Sequence, residues 1–477
     1  MNGRPLVVDL DGTLVLTDML LESALDVTRD APWKLVGVPG WLSDGKASLK
    51  RQLASLTTFD PGLLPYNAAL VDWLKEQRAG GRPLVLCTAS DASIATPIAT
   101  HLGIFDDVIA SDGVVNLSGE RKAAALEARY GRAGFDYAGN ERADLPVWTA
   151  AHRAVVVNAS PAIVREAESR FDVERVFAAT PLTLRLWLKV LRGHQWLKNL
   201  LLFVPLFAAH LLGNAGAWWS VALAFCCFCV CASSVYIAND LLDLPSDRQH
   251  IRKRKRPFAS GAVPLWMGIV LAPVLLAFSL FAASFVGSRF LPWLIGYFLL
   301  TCAYSWSLKR KVVIDCLTLA MLYTLRILAG AAAASIGLSF WLLAFSVFLF
   351  LSLAFVKRYA ELEIQLLSGK QKVHGRGYLT TDAPLVQSLG VAAGYGSVVV
   401  LALYLNSEAV VLLYRTPEFV WGTVPVMLFW ISWMWMRAHR GEMHDDPLVF
   451  AVRDRASLLA GVAFALILVA GSIDWGL

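Results

Sequence analysis

Tyr236-Ile237-Ala238-Asn239-Asp240-Leu241-Leu242-Asp243-Leu244-Pro245-Ser246-Asp247-Arg248 closes an apolar block that opens near residue 217. On a helix, positions 239, 243 and 247 step by four and share one face. Carboxylates at the border of an apolar span are costly unless a metal or a substrate neutralises them, so a functional role is the default reading. Inward-facing carboxylates can hold Mg²⁺, which in turn holds a diphosphate. The basic run Arg252–Arg256 follows at once. Most of it reads as a topological signal, and Arg256, just before Pro257-Phe258, is its best candidate for binding a phosphate.

The blocks around this stretch share its solvent. Hydrophobic residues make up 57% of the 477, charged ones 17%, and the charge is concentrated towards the N-terminus. A soluble enzyme carries charge on about a quarter of its residues. From about residue 195 onward, apolar blocks long enough to cross a bilayer alternate with short polar breaks. Nine spans are expected, near 197–213, 217–238, 264–284, 289–306, 313–333, 339–356, 386–405, 418–436 and 456–474. With the N-terminus inside, the inner loops hold the 248–256 cluster, Lys309 to Lys311, Lys357, Arg358, Lys370, Lys372, Arg376, Arg437, Arg440, Arg453 and Arg455. The outer loops hold only Arg289 and Arg415. This positive-inside bias places the N-terminal domain and the long polar loops on the cytoplasmic face of a cell membrane. No signal-peptide pattern opens the chain. The same topology accounts for the net charge of +6, and no nucleic-acid motif is present. Cys226, Cys227, Cys229 and Cys231 lack a polar second shell and read as small packing residues rather than a metal cluster.

Residues 1–180 read as a globular domain. Leu6-Val7-Val8-Asp9-Leu10-Asp11-Gly12-Thr13 is a buried strand ending in two carboxylates, set where open α/β sheets bind ligands. Further strands are expected at Pro83–Ala89, Asp107–Ala110, Phe135–Ala138 and Ala154–Asn158, giving a doubly wound α/β fold. Helical material between 14 and 80 would form a cap over the site. Residues 181–194 fit an interfacial linker helix, and residues 195–477 form the all-α polytopic domain.

The motif order in the first domain resembles the haloacid dehalogenase (HAD) superfamily. Asp9 and Asp11 match its first motif, Thr88 its second, Lys122 its third, and Asn140 with Asp144 its acidic fourth, where Asn140 replaces a common Asp. The resemblance implies that Asp9 attacks phosphorus while Asp11 serves as acid and then base. Thr88 and Lys122 would hold the phosphoryl oxygens. Asp9, Asp11, Asp144 and Asn140 would form the Mg²⁺ site.

The NDxxDxxxD pattern and the helix count resemble the UbiA superfamily of intramembrane prenyltransferases, and within it the decaprenyl-phosphate phosphoribosyltransferases. Gln195-Trp196-Leu197-Lys198-Asn199, Tyr304 to Lys309, and Val356-Lys357-Arg358-Tyr359 carry that likeness. Aromatic prenyltransferases place a second Asp-rich motif after the fourth span; here Ser307–Asp315 holds one Asp and three cations. Cations suit the additional phosphate of phosphoribosyl diphosphate (PRPP), with Lys198, Lys309, Lys357 and Arg358 as phosphate candidates. The implied reaction joins PRPP to a polyprenyl phosphate lipid within the bilayer, with Asp240, Asp243 and Asp247 as the catalytic metal set and Asn239 supporting. A HAD phosphatase would then remove the 5-phosphate, towards a lipid-linked ribose or arabinose donor. The alternative is a UbiA-type aromatic prenyltransferase using a polyprenyl diphosphate, with the HAD domain regulatory or acting on another phosphate ester. Chain length of the lipid and oligomeric state, a homo-oligomer included, stay open.

Overall fold

The computed structural model describes residues 3–211, 213–337, 339–367, 376–407, 413–443 and 446–473. Lys370 and Lys372 lie outside the described residues. The chain divides into two compact units, Met1–Leu191 with Tyr236–Pro273, and Arg192–Val235 with Val274–Leu477.

The first unit is built on a six-stranded parallel sheet: β1 Leu6–Val8, β2 Leu84–Asp91, β3 Asp107–Ser111, β4 Asp136–Gly139, β5 Ala154–Val157 and β6 Val173–Phe177. The order is β3-β2-β1-β4-β5-β6, and β1, flanked by β2 and β4, lies inside the sheet. Every residue of β1 is buried, as a strand covered on both faces requires. Leu6 and Val8 pack with Leu70, Leu74 and Ile98 on one face, and Val7 packs with Leu126, Tyr137 and Trp148 on the other. The expected first five strands are present. β6 was not anticipated, because its Val-Glu-Arg-Val-Phe pattern leaves two charges on an exposed edge. The helical material expected between 14 and 80 includes Met19–Asp30, Val38–Ser43, Lys46–Ser55 and Ala68–Ala79. Asp18 and Asn67 cap two of these by accepting from Leu21 N and Leu70 N.

Among the described residues, seven helices are long and apolar enough to cross a membrane: Ala215–Leu242, Leu265–Ala283, Ile314–Ala333, Phe340–Leu367, Thr380–Leu405, Pro417–His439 and Arg455–Ser472. The protein is a multi-pass membrane protein. Two of the nine expected spans are shorter elements. Residues 197–213 wind as a 3₁₀ stretch, Gly193–Phe203, into the brief helix Val204–Ala208, with Pro205 in its first turn. Leu291–Trp306 is a regular helix of 16 residues, about 24 Å long against a hydrocarbon core of about 30 Å. The expected linker contains the helix Leu184–Val190, capped by Thr183.

Candidate active sites

At the carboxyl end of β1, Asp9 N–H donates to the Ala138 carbonyl and so fixes the start of the loop against β4. Lys122, on the helix Glu120–Tyr130, donates to Asp9 Oδ1 at 2.6 Å and to the Tyr137 hydroxyl at 2.9 Å. Tyr137 in turn donates to Asp144 Oδ1 at 2.8 Å, and Asp144 Oδ2 accepts from the backbone N–H groups of Asn140 and Glu141. Burial, reinforced by Asp144 and Asp11, pushes the Asp9 carboxyl up to about 7 against the pull of Lys122. Burial also works against the Lys122 charge, but Asp9 and Asp144 outweigh it and hold the ammonium above its ordinary range.

Asp11 is held from two sides. Met19 N–H donates to Oδ1 at 2.8 Å and the Ser90 hydroxyl to Oδ2 at 2.7 Å. Burial raises its carboxyl, which suits a group that must carry a proton. Thr88 is fully buried, and its hydroxyl oxygen accepts from Ser90 N–H. Five expected residues therefore converge here: Asp9, Asp11, Thr88, Lys122 and Asp144. Tyr137 and Lys50 join them unannounced. Lys50, on a cap helix, donates to the Ala89 carbonyl at 2.8 Å and to Asn116. Burial lowers its ammonium, while Asp11 raises it.

The fit to Mg²⁺ can be judged from the oxygens left over. Three donors already converge on Asp144, so its carboxylate is anchored in place. Asn140 Oδ1 is buried and has no hydrogen-bond partner. It lies beside Gly12, whose φ is +73°; a Cβ there would come within 2.2 Å of the Asn140 amide. A hard, unpartnered oxygen on the residue beside the anchored Asp144 carboxylate suits a small divalent cation.

The Asp-rich segment keeps its expected face. Asp243 N–H donates to the Asn239 carbonyl and Asp247 N–H to the Asp243 carbonyl, so the four-residue step persists past Leu242, where the long helix ends. Asp240 and Asp247 are buried; Asn239 and Asp243 are half-buried. Arg256 reaches back across the loop and donates to Asp240 Oδ1 at 3.1 Å and Asp247 Oδ2 at 2.5 Å. Burial pushes the Asp247 carboxyl up, and Arg256 pulls it down. Among the described residues no group of three His, Cys, Asp or Glu side chains could hold a metal unaided. Mg²⁺ ordinarily keeps water and binds one or two carboxylates plus substrate phosphate, and a pair of carboxylates facing a cation matches that demand.

In the second unit, Lys198 and Lys357 meet at an aspartate that sequence reasoning missed. Lys198 donates to Asp446 Oδ2 at 2.8 Å, Lys357 to the same oxygen at 3.3 Å, and the Tyr323 hydroxyl also donates to this carboxylate. Burial opposes the Asp446 charge, yet the two ammonium groups hold its carboxyl well below the usual range. Asp446 also caps the helix Pro447–Ala451 through Leu448 N–H. An Asp-Pro pair before an apolar run is a cap signal that could have located it. Lys309 sits half-buried in a 3₁₀ turn, Leu308–Arg310, whose Lys309 carbonyl accepts from Arg376. Nearby, Asn199 Oδ1 accepts from Arg326 Nε at 2.9 Å, and Arg326 also donates to the Tyr297 hydroxyl.

Arg358 is placed differently from Lys357. It is wholly enclosed and pairs with Asp315 at 2.6 Å, and its other nitrogen reaches Glu361. Asp315 Oδ1 accepts from the Tyr378 hydroxyl at 2.7 Å and from Cys316 N–H. The geometry makes Arg358 a brace between the helices Ile314–Ala333 and Phe340–Leu367. Asp315→Ala should therefore destabilise the protein, by less than the about 3–5 kcal/mol of a fully stranded buried charge, because Arg358 keeps Glu361 but loses its enclosed partner. Replacing both partners with apolar residues should cost less than either single change. Thermal unfolding in detergent checks the order.

Residues 201–458 match the UbiA prenyltransferase family, and the chain belongs to it. Its N-terminal part is the α/β domain built on the six-stranded parallel sheet, carried on the same chain as the UbiA-family region. The chain is 37% identical to the uncharacterized protein y4nM of Sinorhizobium fredii over 464 residues, 97% of this chain and 90% of that one. It is 31% identical over 291 residues to the decaprenyl-phosphate phosphoribosyltransferase of Mycobacterium tuberculosis, covering 58% of this chain and 90% of that protein. Among solved structures, a UbiA homologue from Archaeoglobus fulgidus bound to GPP and Mg²⁺ aligns with 60% of this chain and 98% of its own, at 16% identity and TM-score 0.45. A substrate-bound phosphoserine phosphatase aligns with 40% of this chain and 98% of its own, at 16% identity and TM-score 0.28.

Proposed function

We propose that the chain is a two-step membrane enzyme that transfers 5-phosphoribosyl from PRPP to a polyprenyl phosphate and then removes the 5-phosphate. The reading is carried by one observation: a UbiA-family transferase shares its chain with a compact Asp9–Lys122–Asp11 cluster suited to phosphate-ester hydrolysis. The likeness to decaprenyl-phosphate phosphoribosyltransferases supports the choice of donor and acceptor. The lone Asp315 among three cations supports it too, because that loop is better suited to an extra phosphate than to a second metal.

In the first step a phosphate oxygen of the lipid attacks C1 of PRPP, and the C1–O bond to diphosphate breaks with its electron pair. The nucleophile is already ionised, so no general base is needed, and alignment with leaving-group stabilisation remains. Lys198 and Lys357, held on Asp446, are set to take phosphate oxygens, with Lys309 and Arg256 as further donors; Arg358 acts as a brace. In the second step the Asp9 carboxylate attacks the 5-phosphorus while Asp11 passes its proton to the departing O5. Asp11 then takes a proton from water, which cleaves the aspartyl-phosphate and frees inorganic phosphate. Mg²⁺ would neutralise phosphate charge at both sites, with Asp9, Asp11, Asp144 and Asn140 the residues to hold it in one and Asp240, Asp243 and Asp247 with Asn239 in the other. Both sites face the cytoplasm of a cell membrane crossed nine times, with the two short segments completing the set. Residues 1–180, 181–194 and 195–477 are the functional divisions of the chain, and the product leads towards a lipid-linked arabinose donor.

The test is incubation of the purified protein with Mg²⁺, polyprenyl phosphate and labelled PRPP, with lipid products read by mass spectrometry. A ribosyl lipid lacking the 5-phosphate is expected; intact PRPP with no lipid product overturns the reading and favours an aromatic acceptor. Asn140→Ala should raise the Mg²⁺ concentration needed for half-maximal hydrolysis of p-nitrophenyl phosphate by about tenfold or more, as loss of a metal-site partner does. A Mg²⁺ titration of that hydrolysis checks it.

A further inference from the structure

The cap helix Met19–Asp30 and the Asp-rich segment 236–273 belong to the same compact unit. Arg248, the residue after Asp247, donates through both terminal nitrogens to the two oxygens of Glu22, at 3.1 and 2.6 Å. Its Nε donates to the Ala259 carbonyl at 3.0 Å. One guanidinium thus ties together the phosphatase cap, the Asp-rich helix and the loop that follows Arg256. Glu22 is held in turn by the Thr17 hydroxyl at 2.6 Å. The pair is nearly closed to solvent, with side-chain exposures of 6% and 10%.

The contact extends beyond one pair. Glu22, Asp26 and Arg29 are spaced by four and three and share a helix face. Arg248 acts electrostatically on Asp26, and Asp243 acts on Arg29. Acid meets base directly at the Glu22 end of the stripe, and at the Arg29 end Asp243 adds a weaker attraction behind Asp30 and Asp26, so charges of opposite sign run along both segments. At Gly261 the backbone has φ +71°, and a Cβ would fall 2.4 Å from Leu16 Cβ, so main chain presses directly on the phosphatase domain. The same helix starts at Met19, whose N–H holds Asp11.

We propose that the cap helix Met19–Asp30 is a positioning element of the transferase site, acting through the Glu22–Arg248 pair on Asp247 and on the loop that carries Arg256. A bidentate pair taken out of water gains little net stability, and fixing one arrangement is its best-attested use. Here the arrangement fixed is that of Asp240, Asp243 and Asp247 relative to Arg256. A transferase whose aspartates are set by the phosphatase cap is not simply tethered to its second domain. What the positioned site does rests on the function proposed above; the docking itself does not.

The experiment uses the full-length protein in detergent with E22Q, R248Q, R248E and the charge swap E22R/R248E. Hydrogen exchange of peptides covering 239–263 should rise about tenfold or more in the single variants and return to near the parent value in the swap, as a coupled pair requires. With PRPP, the KM should rise by more than kcat falls in E22Q and R248Q, and the swap should recover most of it. Unchanged exchange in both E22Q and R248Q overturns the proposal, as does a swap no better than R248E. If the parent transfers nothing from PRPP, the functional reading fails while the exchange measurements still decide whether the cap helix sets this segment.

Discussion

Asp9→Asn is expected to shift the lipid product almost entirely to its 5-phosphorylated form. Asparagine keeps the size and one oxygen of the side chain, so the sheet edge and the Lys122 contact can persist. What goes is the proposed nucleophile. Loss of an attacking group costs on the order of 10³-fold or more in turnover, because the remaining groups then have only positioning and charge to offer. Lys122 retains Asp144 at 4.0 Å, so its buried ammonium is not stranded. Mass spectrometry of products from labelled PRPP checks the prediction, alongside hydrolysis of p-nitrophenyl phosphate. A variant that still delivers the dephosphorylated lipid would transfer the second step to another catalyst.

The parts of this site that were legible from sequence are those fixed by local geometry. Asp9 and Asp11 stand two apart on a strand end, and Lys122 opens a helix after a turn, so spacing alone sets their direction. Asn239, Asp243 and Asp247 were legible for the same reason, since a four-residue step is a property of the helix. Tyr137 was not, because a tyrosine inside a buried strand reads as core until its hydroxyl is seen between Lys122 and Asp144. Lys50 comes from the cap, and its approach to Ala89 depends on how the cap closes. Lys357 and Arg358 are adjacent and both cationic, yet they point to different partners: one meets Asp446, the other disappears against Asp315. No one-dimensional pattern separates them, because the difference is a rotation of about 100° around one helix. The form of the two short apolar segments was not legible for a related reason. Hydropathy records that residues 197–213 and 289–306 are apolar, but a 3₁₀ stretch and a 16-residue helix depend on turn chemistry and packing.

Asp247→Asn should cost transfer from PRPP on the order of 10- to 100-fold, the scale on which loss of a residue supporting a metal site is felt, while leaving thermal stability nearly unchanged. The two halves of that statement have one cause. Asp247 is buried next to Asp240, with which it shares Arg256, and burial raises its carboxyl. A raised carboxyl means that the folded protein disfavours its charge, so an amide of the same shape relieves that penalty even as it weakens the bond to Arg256. Arg256 still has Asp240 at 3.1 Å and remains partly open to solvent, so it is not left buried and alone. An aspartate kept for folding would show the reverse, with the melting temperature falling alongside activity. Melting curves and PRPP kinetics on the same preparation separate the two, and loss of turnover without loss of stability marks a charge retained for substrate at a standing cost to the fold.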